Sequence, residues 1–214
     1  MEKLKIEQAK EMLIFVADQI IAAKPELTEI DSKIGDGDHG IGMAGGLQKA
    51  KDKLLKTTEF SGVYEVFEIT GKAMLMSMGG ASGVIFGSLF LAGAKGAEKK
   101  EALSAEDLAM MMHKSLVAIQ ERGKAKMGDK TMVDALAPAV TAMEKHCFEG
   151  MLPMLKCAEA AAAEGLEKTK SYIAKFGRAK SLMERAIGYQ DAGATSVWII
   201  FRSMREYVES KGMY

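Results

Sequence analysis

The chain is poor in the features that mark several protein classes. Only two cysteines, Cys147 and Cys157, occur in 214 residues. Both fall in segments of helical pattern, at no metal-ligand spacing, so they read as reduced thiols of a cytosolic protein rather than a disulfide framework or a zinc site. No apolar run reaches the 18 or so residues that a bilayer needs; Val84 to Ala94 comes nearest, and no membrane partner is expected. The amino-terminal stretch alternates charged and apolar residues and lacks the h-region of a secretory signal. An excess of either charge is also missing: 29 Lys and Arg face 29 Asp and Glu, so no overall basic field points to nucleic acid. β-branched runs, hairpin dipeptides, linkers, repeats and low-complexity tracts are absent.

What is present suits one folded domain over residues 1–214: 48% of residues are hydrophobic and 27% charged, close to the globular norm. Helical periodicity dominates. Leu13, Val16, Ala17, Ile20 and Ile21 stripe a first helix that is expected to end near Pro25. Further helices are expected over Gly40–Lys56, Val63–Met78 and Ala81–Ala97. Another starts at Ser104, with Asp107 placed to complete a capping box. Three more cover Thr131–Cys147 (through Pro138), Leu155–Phe176 and Ala194–Ser210. About eight helices without a strand predict an all-α fold, an up-and-down antiparallel bundle or barrel. The 17 methionines fall among apolar helical positions and read as adaptable core filling.

The 22 glycines collect at helix junctions, where they let backbone amides approach an anion closely. The richest junction runs from Asp31 to Gly40 and holds Asp36, Asp38 and His39 in a glycine frame. Carboxylates this close repel one another unless a cation neutralises them, and hard oxygen donors suit Mg²⁺ or Ca²⁺. A solvated turn capping the next helix is the plainer alternative. Gly35, Gly37 and Gly40 imitate a dinucleotide fingerprint, but no strand precedes them. The spacing also fails the EF-hand, with Leu47 where its closing Glu belongs.

Gly79–Gly83, with Ala81 and Ser82, opens a helix with amides and a hydroxyl that suit phosphate or, equally, a tight turn. Gly123 to Thr131 imitates a Walker A loop with one residue too many and no βαβ context. Gly177-Arg178 and Asp191-Ala-Gly193-Ala-Thr-Ser196 flank a short polar stretch; Arg178 suits phosphate pairing or, equally, is a surface Arg with Asp191 capping the last helix. His113 and His146 carry no recognisable chemistry.

Ile34-Gly-Asp-Gly-Asp-His-Gly40, Gly79-Gly-Ala-Ser-Gly83, Gly128-Asp-Lys-Thr-Met132, Gly177-Arg178-Ala179 and Asp191-Ala-Gly-Ala-Thr-Ser196 stand in one order, with Glu184-Arg185 and Gly188 between the last two. Together they resemble the nucleotide-binding L subunit of dihydroxyacetone kinases. The resemblance implies an eight-helix barrel with ADP or ATP at one end. Asp31, Asp36 and Asp38 would hold two Mg²⁺ ions and, with Arg178, act on the transferred phosphoryl group. His39, Ile41, Gly42, Ala81, Ser82, Gly123, Met132, Arg178, Asp191 and Gly193 would surround the nucleotide. The ketone would sit on a separate K subunit, and a phosphohistidine protein of the phosphoenolpyruvate phosphotransferase system would recharge the nucleotide. Direct use of ATP, a related ketose such as erythrulose, and a nucleotide sensor without catalysis are the alternatives, and a homodimer stays open. His39 stands where fatty-acid kinase relatives carry Thr. Val84 and Ala192 stand where relatives often carry Pro.

Overall fold

Apolar side chains recur at helical spacing along the first helix: Ala9, Met12, Leu13, Val16, Ala17 and Ile20 are all buried. A stripe of this width has to be covered by neighbouring helices, and the computed structural model, which describes residues 3–212, shows how. Its helices are α1 (Ile6–Ala22), α2 (Lys24–Ile34), α3 (His39–Lys56), α4 (Val63–Ser77), α5 (Gly80–Leu91), α6 (Ala105–Gly123), α7 (Val133–His146), α8 (Met151–Lys168) and α9 (Ala192–Ser210). All of them except α2 form a ring in which each packs on the next and α9 returns to α1. The closure is antiparallel: Glu11, early in α1, accepts from the Tyr207 hydroxyl at 2.8 Å and pairs with Lys211 at 2.8 Å, both at the far end of α9. Neighbours therefore alternate up and down around one continuous core. That core includes Phe67, Phe90, Phe201, Met12 and Met43, each less than 2% exposed.

Glycine sets how closely the walls approach. A Cβ on Gly71 of α4 would lie 2.5 Å from the Gly87 carbonyl oxygen of α5, so these two backbones touch and no side chain fits between them. One end of the ring is tied by a pair of two-residue strands, β1 (Leu4–Lys5) and β2 (Ala102–Leu103), joining the starts of α1 and α6. These strands lay outside the helical pattern.

The extra helix is α2. Pro25 does not end the helical region; it occupies the first turn of α2, where its missing N–H leaves no bond unmade. α2 lies across the other end of the ring, against α3, α9 and α1. Boundaries moved elsewhere too. α5 stops at Leu91 rather than Ala97, and α8 begins at Met151, gives way to a 3₁₀ turn over Thr169–Ser171 and stops short of Phe176. α7 runs through Pro138, as its periodicity implied. Among the described residues no helix is long and apolar enough to cross a membrane.

Candidate metal and anion site

The end of the ring crossed by α2 opens into a cavity of about 920 Å³. Four junctions converge there, each placed by the helix it precedes or follows. α2 ends at Ile34, so Asp31 rides on a last helical turn rather than on a free loop. Gly37 takes a φ of 75°, a conformation open to glycine, and the chain swings round to start α3 at His39. The turn brings one oxygen each of Asp31, Asp36 and Asp38 within 4.8 Å of one another. Asp31 is fixed from behind, its Oδ2 accepting the His39 backbone N–H at 3.2 Å. Asp36 Oδ2 pairs with Arg178 Nε at 2.7 Å across the mouth. Desolvation, then the charges of Asp36 and Asp31, push the Asp38 carboxyl above its ordinary range. Three hard oxygen donors with one exposed guanidinium between them form a set that favours a divalent cation.

Opposite the acids stands the start of α5. Its N-cap, Gly79, has no side chain to offer the first-turn amides, and Ala81 and Ser82 are exposed on the cavity wall. A bare helix N-terminus presents N–H donors and the positive end of the helix dipole, which together suit phosphate. Gly83 follows as a packing requirement: a Cβ there would meet the Met78 carbonyl oxygen at 2.5 Å. Met78, Ile85, Phe86, Met132 and Phe176 supply an apolar lining.

His39 lines the cavity but faces the barrel. Its Nε2 lies 2.8 Å from Ser196 Oγ on α9, and its ring packs on Phe86 at a tilt of 56°, with centroids 5.6 Å apart. Burial holds its pKa below the usual histidine value, so the ring is neutral near pH 7. Asp191 caps α9 through Oδ2, which accepts the Ala194 N–H at 2.7 Å. Burial pushes its carboxyl up to about 7 against the opposing effect of that amide.

Asp31, Asp36, Asp38, His39, Ile41, Gly42, Ala81, Ser82, Met132, Arg178, Asp191 and Gly193 all line this cavity. Gly123 does not: it ends α6 behind Ile85, whose Cδ1 would lie 3.3 Å from a Cβ at that position. The sequence reading passed over two buried polar residues. Asp134 is 2% exposed and accepts the N–H of Gly128 at 2.5 Å and of Thr131 at 2.7 Å, which sets the shape of the loop before α7. Lys130, also 2% exposed, donates from Nζ to the carbonyls of Thr169 and Tyr189. The motif Gly128-Asp-Lys-Thr131 marked the loop, but nothing in one-dimensional spacing says that its Lys turns inward.

Residues 33–206 match the DAK2 domain family. The chain is 36% identical over 180 residues to the "PEP-dependent dihydroxyacetone kinase, ADP-binding subunit DhaL" of Escherichia coli, covering 83% of this chain and 85% of that protein. It is 39% identical over 181 residues to the corresponding subunit of the first such kinase of Listeria innocua, covering 85% and 86%. The crystal structure of the dihydroxyacetone kinase from C. freundii in complex with AMP-PNP and Mg²⁺ shares the fold, with a TM-score of 0.75 at 24% identity over 96% of this chain, which spans 35% of that kinase chain.

Proposed function

The chain belongs to the DAK2 domain family, and from that premise we propose that it is the ADP- or ATP-holding subunit of a dihydroxyacetone-type kinase. One observation carries the reading: three carboxylates within 4.8 Å of one another face an uncapped helix N-terminus across a single cavity.

Asp31, Asp36 and Asp38 fit magnesium, because each offers a hard oxygen and no softer ligand stands among them. Two ions are proposed, which these three carboxylates would hold. When bound, magnesium supplies charge compensation on the phosphate oxygens. The rest falls to the chain's own groups. Amides at the start of α5, with the Ser82 hydroxyl, donate to phosphate oxygens. Arg178, exposed at the mouth beside Asp36, would offer its guanidinium to the phosphate chain. Ile41, Gly42, Met132 and Gly193 pack against the nucleoside. His39 and Asp191 hold the starts of α3 and α9, and Gly123 contributes through Ile85. The acceptor hydroxyl arrives on a separate ketose-binding K subunit, so catalysis here consists of positioning and electrostatics. A phosphohistidine protein of the phosphotransferase system is the proposed donor that restores ATP. The E. coli and Listeria relatives named above, which are PEP-dependent, support that choice over free ATP.

Titration calorimetry with ADP in magnesium, and again in excess chelator, tests the reading. Binding that is strong with magnesium and lost without it is expected, as is ketose phosphate on adding a K subunit, dihydroxyacetone and a phospho-donor. Product with ATP alone would move the chain to the ATP-dependent kinases, with erythrulose as a second acceptor to try. Nucleotide binding without product from either donor would make it a sensor. Failure to bind ADP in magnesium would end the proposal.

A further inference from the structure

Lys130 carries a charge in a place where an apolar side chain would fill the space at lower cost. It is 2% exposed and adopts a left-handed φ of 59°, uncommon for a residue with a side chain. Its Nζ donates to the Thr169 and Tyr189 carbonyls, each at 2.5 Å. Those two carbonyls stand at the roots of the segment that carries Arg178. The same roots are joined directly, Gly188 N–H donating to the Lys170 carbonyl at 2.7 Å and Asp191 N–H to Thr169 Oγ1 at 3.0 Å. Further along, the segment returns to the loop of Lys130: Lys175 N–H donates to the Asp129 carbonyl at 3.1 Å, and its Nζ pairs with Asp129 at 2.7 Å.

We infer that Lys130 is a positioning residue of the nucleotide site, its ammonium clamping both roots of the 169–191 segment to the loop before α7 so that Arg178 and the start of α9 meet the nucleotide in a preset arrangement. The inference rests on the function proposed above. Burial lowers the Lys130 pKa, an effect that the charges of Asp191 and then Asp134 oppose in part, and the ammonium's donors are met by fixed carbonyl dipoles. The clamp therefore leaves Asp31, Asp36 and Asp38 free for a ligand.

Lys130→Met keeps an unbranched chain and removes the donors. Its affinity for Mg·ADP should fall roughly tenfold or more, the effect of leaving two carbonyls without a charged donor. Trypsin cleavage after Arg178, Lys180 and Arg185 should quicken and no longer slow when Mg·ADP is added. Arg205→Ala, at the other end of the barrel, controls for general destabilisation and should leave affinity and cleavage unchanged. Wild-type protein that fails to bind Mg·ADP would sink the functional reading. Wild type that binds, beside a Lys130→Met variant equal to it in affinity and cleavage, would sink the clamp alone. If that variant does not fold, nitrogen NMR of the Lys130 ammonium in wild type decides: Mg·ADP should shift the signal and slow its proton exchange, and an unmoved signal overturns the inference.

Discussion

The two ends of the barrel are built from the same helices and treat their polar groups in opposite ways. At the end tied by β1 and β2, the starts of α6, α4 and α1 find partners within the chain. Ser104 and Asp107 close a capping box on α6, the first amide of α4 donates to the Lys100 carbonyl, and Gln8 reaches back to the Lys5 N–H. Carboxylates there meet cations: Glu11 with Lys211, Asp107 with Lys100, and Glu159 with Arg205. At the cavity end Asp31 and Asp191 serve the starts of α3 and α9, but α5 starts without a side-chain cap. Among the described residues, Asp31 and Asp38 pair with no cation, and Asp36 has only an exposed arginine. Groups that the fold could satisfy are left for a ligand. The difference marks the functional end without reference to any relative.

Removing that unsatisfied charge should have the largest effect. Asp36→Asn should weaken Mg-dependent ADP binding by about 100-fold or more, as loss of a direct metal ligand exceeds the 10–100-fold typical of outer-sphere partners. Circular dichroism should show the helices intact. Unchanged affinity would remove Asp36 from the ligand set. Packing at the rim ranks next. A Cβ on Gly165 of α8 would lie 2.0 Å from the Asp134 carbonyl oxygen, so Gly165→Ala should cost about 1–3 kcal/mol in denaturant unfolding. At the tied end, Arg205→Ala should cost about 1–2 kcal/mol and leave ADP affinity unchanged. An equal loss of affinity there would erase the contrast between the ends.

The last effect concerns pH. Asp191 is held at about 7 in the folded chain, against 3.8 for an ordinary Asp. A raised folded pKa means that the native state binds the proton more tightly than the unfolded one. The stability this adds is complete below about 3.8 and is lost as pH climbs to 7. Asp191→Asn keeps a good helix cap and removes the titration. Measured without magnesium, it should flatten the decline of Tm between pH 5 and pH 8 and raise Tm at pH 8 by about 2–4 °C per kcal/mol recovered. A slope equal to that of wild type would place the titration on another group.

Much of this could be read in one dimension, for identifiable reasons. Stripes such as Leu13, Val16, Ala17 and Ile20 repeat at the helical period over many turns, and the core confirms them. The glycine-framed acids stood out because like charges rarely crowd without cause. Pro25 misled, since the same residue that ends one helix can open another, and α2 was passed over with it. Lys130 and Asp134 were not readable as buried. A charged residue in a polar loop looks solvated until a distant segment, here residues 169–191, closes over it.

The order of residues by itself determined the helices of the ring, the all-α class and the crowding of Asp31, Asp36 and Asp38, because periodicity and local charge act between near neighbours. Only the tertiary structure decided that the ring closes from α9 back to α1, that α2 lies across one end, and that Arg178 comes within reach of Asp36. Those contacts join residues far apart in the chain, and their geometry depends on how the helices pack.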